Sequence, residues 1–432
     1  MTPEKVPLSR SRENSCGTTH CLIKFLNGMI GPGCFSVAMA FKQGGLWTAF
    51  VLVFVIGTLS AFAMHKIVRC SQYLSRVNGS DYLDYGDMAE AAFGHSIYPI
   101  LVRHKHKAKY FVNGCVLAFQ LGVASVAYLF VVEHVKEILD FFEVSTRPST
   151  KELLLFYAIP TILINFVRSI HSLTIVCCIG NTLILSSIVL ILKELFTAEH
   201  NWRDLPWITD FSGVVACAGS LLYSFEGQAM VLPLENKLRH PQDMLGFTGV
   251  LGTGMSLVTI VYTYCGFFGY ITFGNAVEGS VTLNLPNSSV NIVIKFLLIF
   301  VVFFGNVLQV HVIIEMIWPK ISKTLRKRRW QSGIVLAMEY SFRASVVSFA
   351  MLWAIAIPNL HDIIPFVGIT AGMLLSLIIP SIMDIIVFHP LSGSFAQKLW
   401  ILSHNVLLVM IGAFFLISGL QTRISSLVNK VQ

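Results

Sequence analysis

The feature that most constrains this chain is an apolar stretch of about twenty residues that recurs along almost its whole length. A helix needs roughly 17–25 apolar residues to cross the hydrocarbon core of a bilayer. Such stretches lie at 21–42, 47–69, 110–132, 153–168, 172–192, 213–234, 246–273, 291–316, 340–357, 363–387 and 402–422. The pattern predicts an all-α polytopic membrane protein with eleven transmembrane helices.

The composition excludes a water-soluble enzyme. Only 12% of the 432 residues are charged and 55% are hydrophobic, whereas a soluble domain has about 25% charged residues. The loops are too short for a catalytic domain, and no nucleotide-binding, serine-hydrolase or zinc-protease motif is present. We therefore expect no enzyme activity, no metal site and no cofactor, with protons as the one candidate coupling ion.

Basic residues are distributed unevenly between the two sides of the predicted membrane. With a cytoplasmic N-terminus, 22 of the 31 Lys and Arg residues fall on the inner side. Cytoplasmic loops carry such an excess, so we predict a cytoplasmic N-tail over 1–20 and an outer C-tail over 423–432. The basic cluster at 320–329 then anchors the chain to membrane lipid, and the net charge of +8 implies no nucleic acid partner.

The predicted outer loop 274–290 contains no Lys or Arg and carries the sequence Asn287-Ser288-Ser289. An Asn-x-Ser sequence in an outer loop is an acceptor for N-glycosylation. We therefore predict a glycan at Asn287.

The first predicted span is interrupted near its middle. Gly28, Gly31, Pro32 and Gly33 flank Ile30, and neither proline nor glycine favours an unbroken helix. Within a bilayer a broken helix is tolerated where it lines a cavity, because freed backbone groups must find partners. The alternative interpretation is a seam of small residues where two helices pack closely.

The sixth predicted span has a second interruption, with Ser224, Phe225, Glu226 and Gly227 near its middle. A carboxylate at this depth is costly and indicates a functional site.

Spans one and six open two five-helix halves, 21–192 and 213–387, with 402–422 as an accessory eleventh helix. Broken helices at matching positions of two halves indicate the binding site of a secondary transporter. The half-helix after the first break offers free N–H groups to a carboxylate. Unwound carbonyls of the sixth span, with Ser224 and Glu226, offer acceptors to an ammonium group. The arrangement suits a zwitterionic amino acid.

Four segments resemble the proton-coupled amino acid transporters, in the amino acid/auxin permease branch of the amino acid–polyamine–organocation superfamily. They are LNGMIGPG (26–33), YSFEGQAMVLPLENKLRHP (223–241), FGNAVEGSVTLNLP (273–286) and IPNLHDIIPFVGITAGMLLSLIIP (357–380). The resemblance implies a leucine-transporter-like 5+5 inverted repeat plus one helix. It also implies symport of small neutral amino acids with protons in a plasma or endolysosomal membrane.

The resemblance implies a coupling histidine four residues before the first glycine of the break, where this chain has Lys24. Lys24 is either a coupling group or a basic anchor at the membrane surface. Within the eighth span His311 and Glu315 share one helix face and form a second candidate relay, unless Glu315 pairs with the basic inner loop. By analogy with the fold, Tyr128 is a candidate gate over the substrate; the alternative is an aromatic packed between helices.

Three functions remain open at this point. Proton-coupled amino acid symport is the first, and facilitated or exchange transport without proton coupling is its close alternative. A sensor would bind amino acids at the lysosome and signal through a cytoplasmic partner at the acidic segment 81–93 or the basic loop 317–343. An ion channel has no recognisable selectivity filter here.

Overall fold

The structure is a computed structural model that describes residues 16–80, 83–144, 148–167, 170–286 and 288–431. Every regular element in these ranges is a helix, apart from one isolated bridge between Cys16 and Leu238. The prediction of an all-helical chain is confirmed.

The α-helices are α1 (Thr18–Met29), α2 (Pro32–Gly44), α3 (Leu46–Asn78), α4 (Tyr85–Gly94), α5 (Pro99–Arg103), α6 (Lys105–Phe141), α7 (Thr150–Ile164), α8 (Ile170–Thr197), α9 (Phe211–Ser224), α10 (Gln228–Glu235), α11 (Val250–Phe273), α12 (Ser289–Lys327), α13 (Ser332–Ala356), α14 (Leu360–Val367), α15 (Ile379–Phe388) and α16 (Phe395–Val431). Two π-helical turns, Gly368–Gly372 and Leu374–Ile378, join α14 to α15. These two helices form one span of 29 residues.

Within the described ranges, eight helical segments are long and apolar enough to cross a membrane, and the bent pair of α1 and α2 makes a ninth. A multi-pass membrane protein is thereby confirmed. Helices α7 and α8 occupy the fourth and fifth predicted spans, but α7 has only 15 residues, fewer than a straight bilayer crossing needs. The total of eleven spans stays a prediction.

The predicted inner loop 317–343 is shorter in the structure. Helix α12 continues through Pro319 to Lys327, and α13 begins at Ser332. The residues after Pro319 include Lys, Leu and Arg, which favour helix, so the basic cluster extends the helix beyond the bilayer-length stretch.

Both interrupted spans lie in the interior of the helix assembly. Helix α2 packs against α9 and α11, and α3 packs against α11 and α15. In the most apolar part of Phe211–Glu235, 78% of the residues are buried, against 11% in Phe395–Thr422. The sixth predicted span is therefore central, whereas the last helix is peripheral.

Candidate functional site

The first interruption lies between α1 and α2. Ile30 and Gly31 have extended backbone angles, and Pro32 occupies the first position of α2, where its missing N–H costs no helical hydrogen bond. The two half-helices are bent by 51°. Apart from its two neighbours in the chain, no described residue has an atom within 4 Å of where a Cβ of Gly31 would stand, so this position borders open space.

The second interruption lies between α9 and α10 and consists of Phe225, Glu226 and Gly227. The carboxylate of Glu226 accepts a hydrogen bond from the backbone N–H of Ala229 at 3.4 Å. The side-chain oxygen of Gln228 accepts from the N–H of Gly227 at 3.0 Å. The amino-terminal end of α10 is therefore capped by side chains of its own segment.

The two interruptions touch each other. Ser224 Oγ donates to the carbonyl oxygen of Gly33 at 2.9 Å, and Ser36 Oγ donates to the same oxygen at 2.8 Å. A Cβ on Gly33 would stand 3.2 Å from the Cα of Ser224. Only glycine lets the two backbones approach this closely without displacement, so Gly33 and Ser224 fix the distance between the breaks.

Two of the candidate glycines face methionine side chains. A Cβ on Gly28 would meet the sulfur of Met230 at 2.1 Å, and one on Gly227 would meet the sulfur of Met29 at 2.5 Å. Each of these glycines therefore packs against a methionine side chain of the other broken span. For Gly28 and Gly227 this geometry favours the alternative of a close packing seam.

Tyr262, on α11, was not predicted from the sequence as a site residue. Its side chain is fully buried, and its hydroxyl lies 2.6 Å from the carbonyl oxygen of Met29 and 3.0 Å from that of Ser224. One side chain therefore contacts the last residue of α1 and the last residue of α9. No motif marks a lone tyrosine in an apolar span, and only the packing of α11 against both breaks reveals it.

Tyr128 is fully buried on α6, but its described neighbours are not at the breaks. Its ring packs edge-on against Tyr157 at 5.9 Å, and its hydroxyl faces Asn306 of α12. These contacts fit the packing alternative, and a gating role stays a prediction.

His311 and Glu315 share one face of α12, with Nε2 and Oε1 3.1 Å apart. The side chain of Glu315 is 60% exposed, and this carboxylate acts electrostatically on Asp84 near α4. The pair therefore lies on the same side of the molecule as α4.

Lys24 is exposed on α1, and its ammonium group lies 3.4 Å from the sulfur of Cys16. The contact of Lys24 with Cys16 does not test a coupling role, and neither does the contact between His311 and Glu315. A coupling role of these residues stays a prediction. Asn287 lies outside the described residues, so the predicted glycan is untested. Among the described residues no group of three His, Cys, Asp or Glu side chains could hold a metal ion.

The segment 277–285 contacts the chain at one end of the interrupted helices. The N–H of Val281 donates to the carbonyl oxygen of Phe35 at 2.8 Å, and Lys42 donates to the carbonyl oxygen of Val277 at 2.9 Å. His134 on α6 is fully buried and lies 2.7 Å from the hydroxyl of Thr282. This segment thus contacts α2 and α6 just beyond the first break.

The other end is covered by the start of the described chain. The N–H of Cys16 donates to Lys237 O at 2.8 Å, and the N–H of Arg239 donates to Cys16 O at 3.0 Å. Thr18 Oγ1 donates to Asp243 at 2.9 Å. The segment before α1 is therefore tied to the segment after α10.

The acidic segment proposed as a docking site forms α4, with its first two residues, 81 and 82, outside the described ranges. Glu90 lies 3.0 Å from the ammonium of Lys109 and 2.7 Å from His106. Partial burial alone would raise the pKa of Glu90, but these two partners outweigh burial and lower it. The carboxylate of Glu90 therefore stays charged and paired with α6, so this charge is not free to bind a partner.

Comparison with known proteins agrees with this geometry. The sequence model of a family described as transmembrane amino acid transporter protein matches residues 15–425. The Caenorhabditis elegans protein named "Probable amino acid transporter skat-1" is 30% identical over 420 residues, which are 95% of this chain and 90% of that protein. The Drosophila melanogaster "Proton-coupled amino acid transporter-like protein pathetic" is 27% identical over 429 residues, 97% and 87% of the two chains.

These matches confirm the resemblance drawn from the sequence. They also confirm that the chain is not an enzyme, because the family and its named relatives are transporters. The chain belongs to the transmembrane amino acid transporter family, the amino acid/auxin permease family.

Proposed function

We propose that the chain is a secondary active transporter that carries small neutral amino acids together with protons by alternating access. The single observation that carries the proposal is the contact between two interrupted helices, with Ser224 donating to the carbonyl oxygen of Gly33 at 2.9 Å. A leucine-transporter-like fold of two five-helix repeats and an accessory eleventh helix accounts for this contact, since spans one and six then occupy matching positions.

The two poles of an amino acid fit different ends of the half-helices. The amino-terminal end of α2 at Gly31–Gly33 offers N–H groups and a positive dipole end to the substrate carboxylate. The carboxyl ends of α1 and α9, at Met29 and Ser224, offer carbonyl oxygens to the ammonium group. The buried, apolar Ile30 and Phe225 favour a small uncharged side chain.

Alternating access requires that each approach to the site can be closed. We assign these two closures to the segment 277–285, which is hydrogen-bonded to α2, and to the Cys16–Leu238 pairing. We infer that the described conformation is occluded and that transport opens these two closures in turn. With the predicted cytoplasmic N-terminus, 277–285 is the outer closure, in a plasma or endolysosomal membrane.

We assign the coupling proton first to Glu226, because its carboxylate lies in the sixth-span break and caps the half-helix α10. The Drosophila relative is named as proton-coupled-like, which supports this assignment. A facilitative or exchange carrier is the second candidate. It is favoured by exposed Lys24, which stands where the family resemblance implies a histidine.

Uptake by proteoliposomes tests the proposal. The vesicles contain buffer at about pH 7.4 and are placed in buffer at about pH 5.5, which spans the range in which side chains change charge near physiological pH. We expect at least one small neutral amino acid to accumulate inside against its own concentration gradient. A protonophore should abolish the accumulation. Uptake only into vesicles preloaded with amino acid would favour exchange, and no flux of any of the common amino acids would exclude the proposed function.

A further inference from the structure

A buried histidine joins α6 to the segment 277–285. His134 lies near the end of α6 and is fully buried. Its Nε2 lies 2.7 Å from the hydroxyl of Thr282, and that hydroxyl lies 2.6 Å from the hydroxyl of Ser280. Its Nδ1 lies 2.7 Å from the carbonyl oxygen of Phe130, one turn earlier on the same helix. Both ring nitrogens are therefore engaged, one with the helix and one with the segment.

These contacts define which atoms carry the protons. A carbonyl oxygen can only accept, so Nδ1 carries the proton of the neutral ring and donates it to Phe130. Nε2 then accepts from the hydroxyl of Thr282, whose oxygen accepts from Ser280. A second proton on the ring would make Nε2 a donor and would remove the acceptor to which Thr282 donates. The contact between the segment and α6 thus requires a neutral ring.

The charges around the ring also favour its neutral form. Lys295 of α12 is fully buried, forms an ion pair with Glu137 of α6 and acts electrostatically on the ring. Glu133 of α6 accepts from the backbone N–H at the start of α14, and the exposed Glu278 of the segment acts on both glutamates. On α2, Lys42 is bonded to the segment itself. A second proton on the ring would be buried and repelled by the Lys295 ammonium.

The ring is also connected to the first break. It stacks on the ring of Phe130 at 4.0 Å, and the ring of Phe130 packs 6.5 Å from that of Phe35 on α2. The carbonyl oxygen of Phe35 accepts from the N–H of Val281 in the segment at 2.8 Å. Because α2 begins at Pro32, in the first break, the segment cannot leave α6 without also losing its contacts with this half-helix.

We propose that His134 is the latch of the outer closure, a positioning residue whose neutral ring holds the segment 277–285 against α6 and α2 and whose protonation releases it. The inference rests on the proposed function, which assigns this segment as the outer closure. The proton comes from the outer solution, forms the N–H bond at Nε2 and returns to the outer solution before the segment closes. The coupling proton therefore stays with Glu226.

The direction of the pH effect follows from proton binding. The open form binds one proton more than the closed form, so acid favours opening. An exposed histidine has a pKa of about 6.5, and lowering the pH from about 7.4 to about 5.5 then favours the open form up to about tenfold. Opening lowers KM for the amino acid, because more of the protein can bind it. The coupling step at Glu226 is therefore measured at saturating amino acid, where the latch has no effect.

The test measures the closure in the purified full-length protein with a thiol reagent. Val281→Cys places a thiol at a fully buried position of the segment and keeps the backbone N–H that donates to Phe35. The rate of its modification is compared at about pH 7.4 and about pH 5.5, in this variant alone and with His134→Gln or His200→Gln added. The chain without Val281→Cys gives the background of its native cysteines.

The two histidine variants form a matched pair. Glutamine at position 134 can still accept from Thr282 but has no proton to gain at these pH values. His200 also bonds a backbone carbonyl, that of Leu195 at 2.9 Å, but its ring packs on Phe268 of α11. The reactivity of the thiol itself changes equally with pH in all three proteins, so differences between them report the closure.

Relative to the protein with His134→Gln, we expect modification to rise up to about tenfold on acidification, both in Val281→Cys alone and with His200→Gln. At about pH 7.4, Thr282→Val should speed modification about 2- to 10-fold, whereas Thr282→Ser, which keeps the hydroxyl, should not. The same pH dependence in all three proteins, or equal rates in the two Thr282 variants, would overturn the inference.

This measurement requires no amino acid, so it is independent of the proposed function. Opening by acid without uptake of any amino acid would support the latch and exclude the transporter. Uptake without opening by acid would support the transporter and exclude the latch.

Discussion

The two interrupted spans occupy corresponding places in the chain, yet their breaks differ in what they leave free. At the first break, the amino-terminal end of α2 borders open space at Gly31. At the sixth-span break, the amino-terminal end of α10 is already capped by Glu226 and Gln228. Among the described residues, the amino-terminal end of α10 thus has a carboxylate and an amide oxygen at its N–H groups, and the end of α2 at Gly31 is the one that the proposed function assigns to a substrate carboxylate.

The carboxyl ends of the same half-helices behave alike. The last residues of α1 and α9 both place a carbonyl oxygen within 3.0 Å of one tyrosine hydroxyl. The asymmetry between the breaks is thus confined to their positive ends. Under the proposed function, this asymmetry assigns carboxylate binding to the first break and proton uptake to the sixth-span break.

The largest expected effect comes from forcing the two breaks apart. In Gly33→Ala the new Cβ would stand 3.2 Å from the Cα of Ser224, so the two backbones must separate. Overpacking of this kind costs about 1–3 kcal/mol, and we expect kcat/KM for amino acid uptake to fall at least about tenfold.

Gly31→Ala is the matched control for this change. It adds the same methyl group two residues away, at a position that borders open space among the described residues, and alanine can adopt the extended backbone angles found there. Its folding and membrane yield should match those of the wild type. Because Gly31 belongs to the proposed substrate site, the two variants are compared by the thermal stability of the purified protein, and an equal loss of stability would contradict the assignment of Gly33 as the contact point.

Glu226→Gln tests the sixth-span break. The amide oxygen can still accept from the N–H of Ala229, so the cap on α10 is kept while the charge is lost. If Glu226 takes up the coupling proton, the ratio of uptake at about pH 5.5 to uptake at about pH 7.4 should fall to one, and the pH gradient should no longer drive accumulation.

Glu226→Ala separates the cap from the charge. It removes both, and loss of a helix cap costs about 1 kcal/mol. We therefore expect it to lower the rate below that of Glu226→Gln. An unchanged pH profile in Glu226→Gln would remove this carboxylate from proton coupling and favour the facilitative or exchange carrier.

The breaks and the membrane-spanning class followed from the sequence because they depend on local properties. Apolar length predicts a span, and Pro32 with its neighbouring glycines predicts where the helix stops. The contact of the Tyr262 hydroxyl with both breaks could not be predicted, because it depends on the packing of α11 beside two segments that are distant in the chain. The orientation of the Glu226 side chain could not be predicted either, because the sequence does not tell which backbone group its carboxylate contacts.

A smaller effect is expected where the two spans exchange glycine and methionine. Gly28→Ala places a Cβ against the flexible end of Met230, which can move aside. We expect about a threefold loss of kcat/KM, and the double variant Gly28→Ala with Met230→Ala should recover most of it because the two positions are in contact. No recovery in the double variant would show that Gly28 has a role other than packing.

The smallest expected effect is at Lys24, on α1, the amino-terminal half of the first broken span. Its ammonium is exposed and lies 3.4 Å from Cys16, whose backbone pairs with the segment after α10. Interactions of exposed charges are worth ~0.2–1 kcal/mol, so Lys24→His should increase the stimulation of uptake by acid by no more than about fivefold. Histidine changes its charge between about pH 5 and 8, whereas the control Lys24→Gln has no charge to change. Identical pH profiles for the two variants would identify this position as a membrane anchor, and proton sensing would then be confined to the other break.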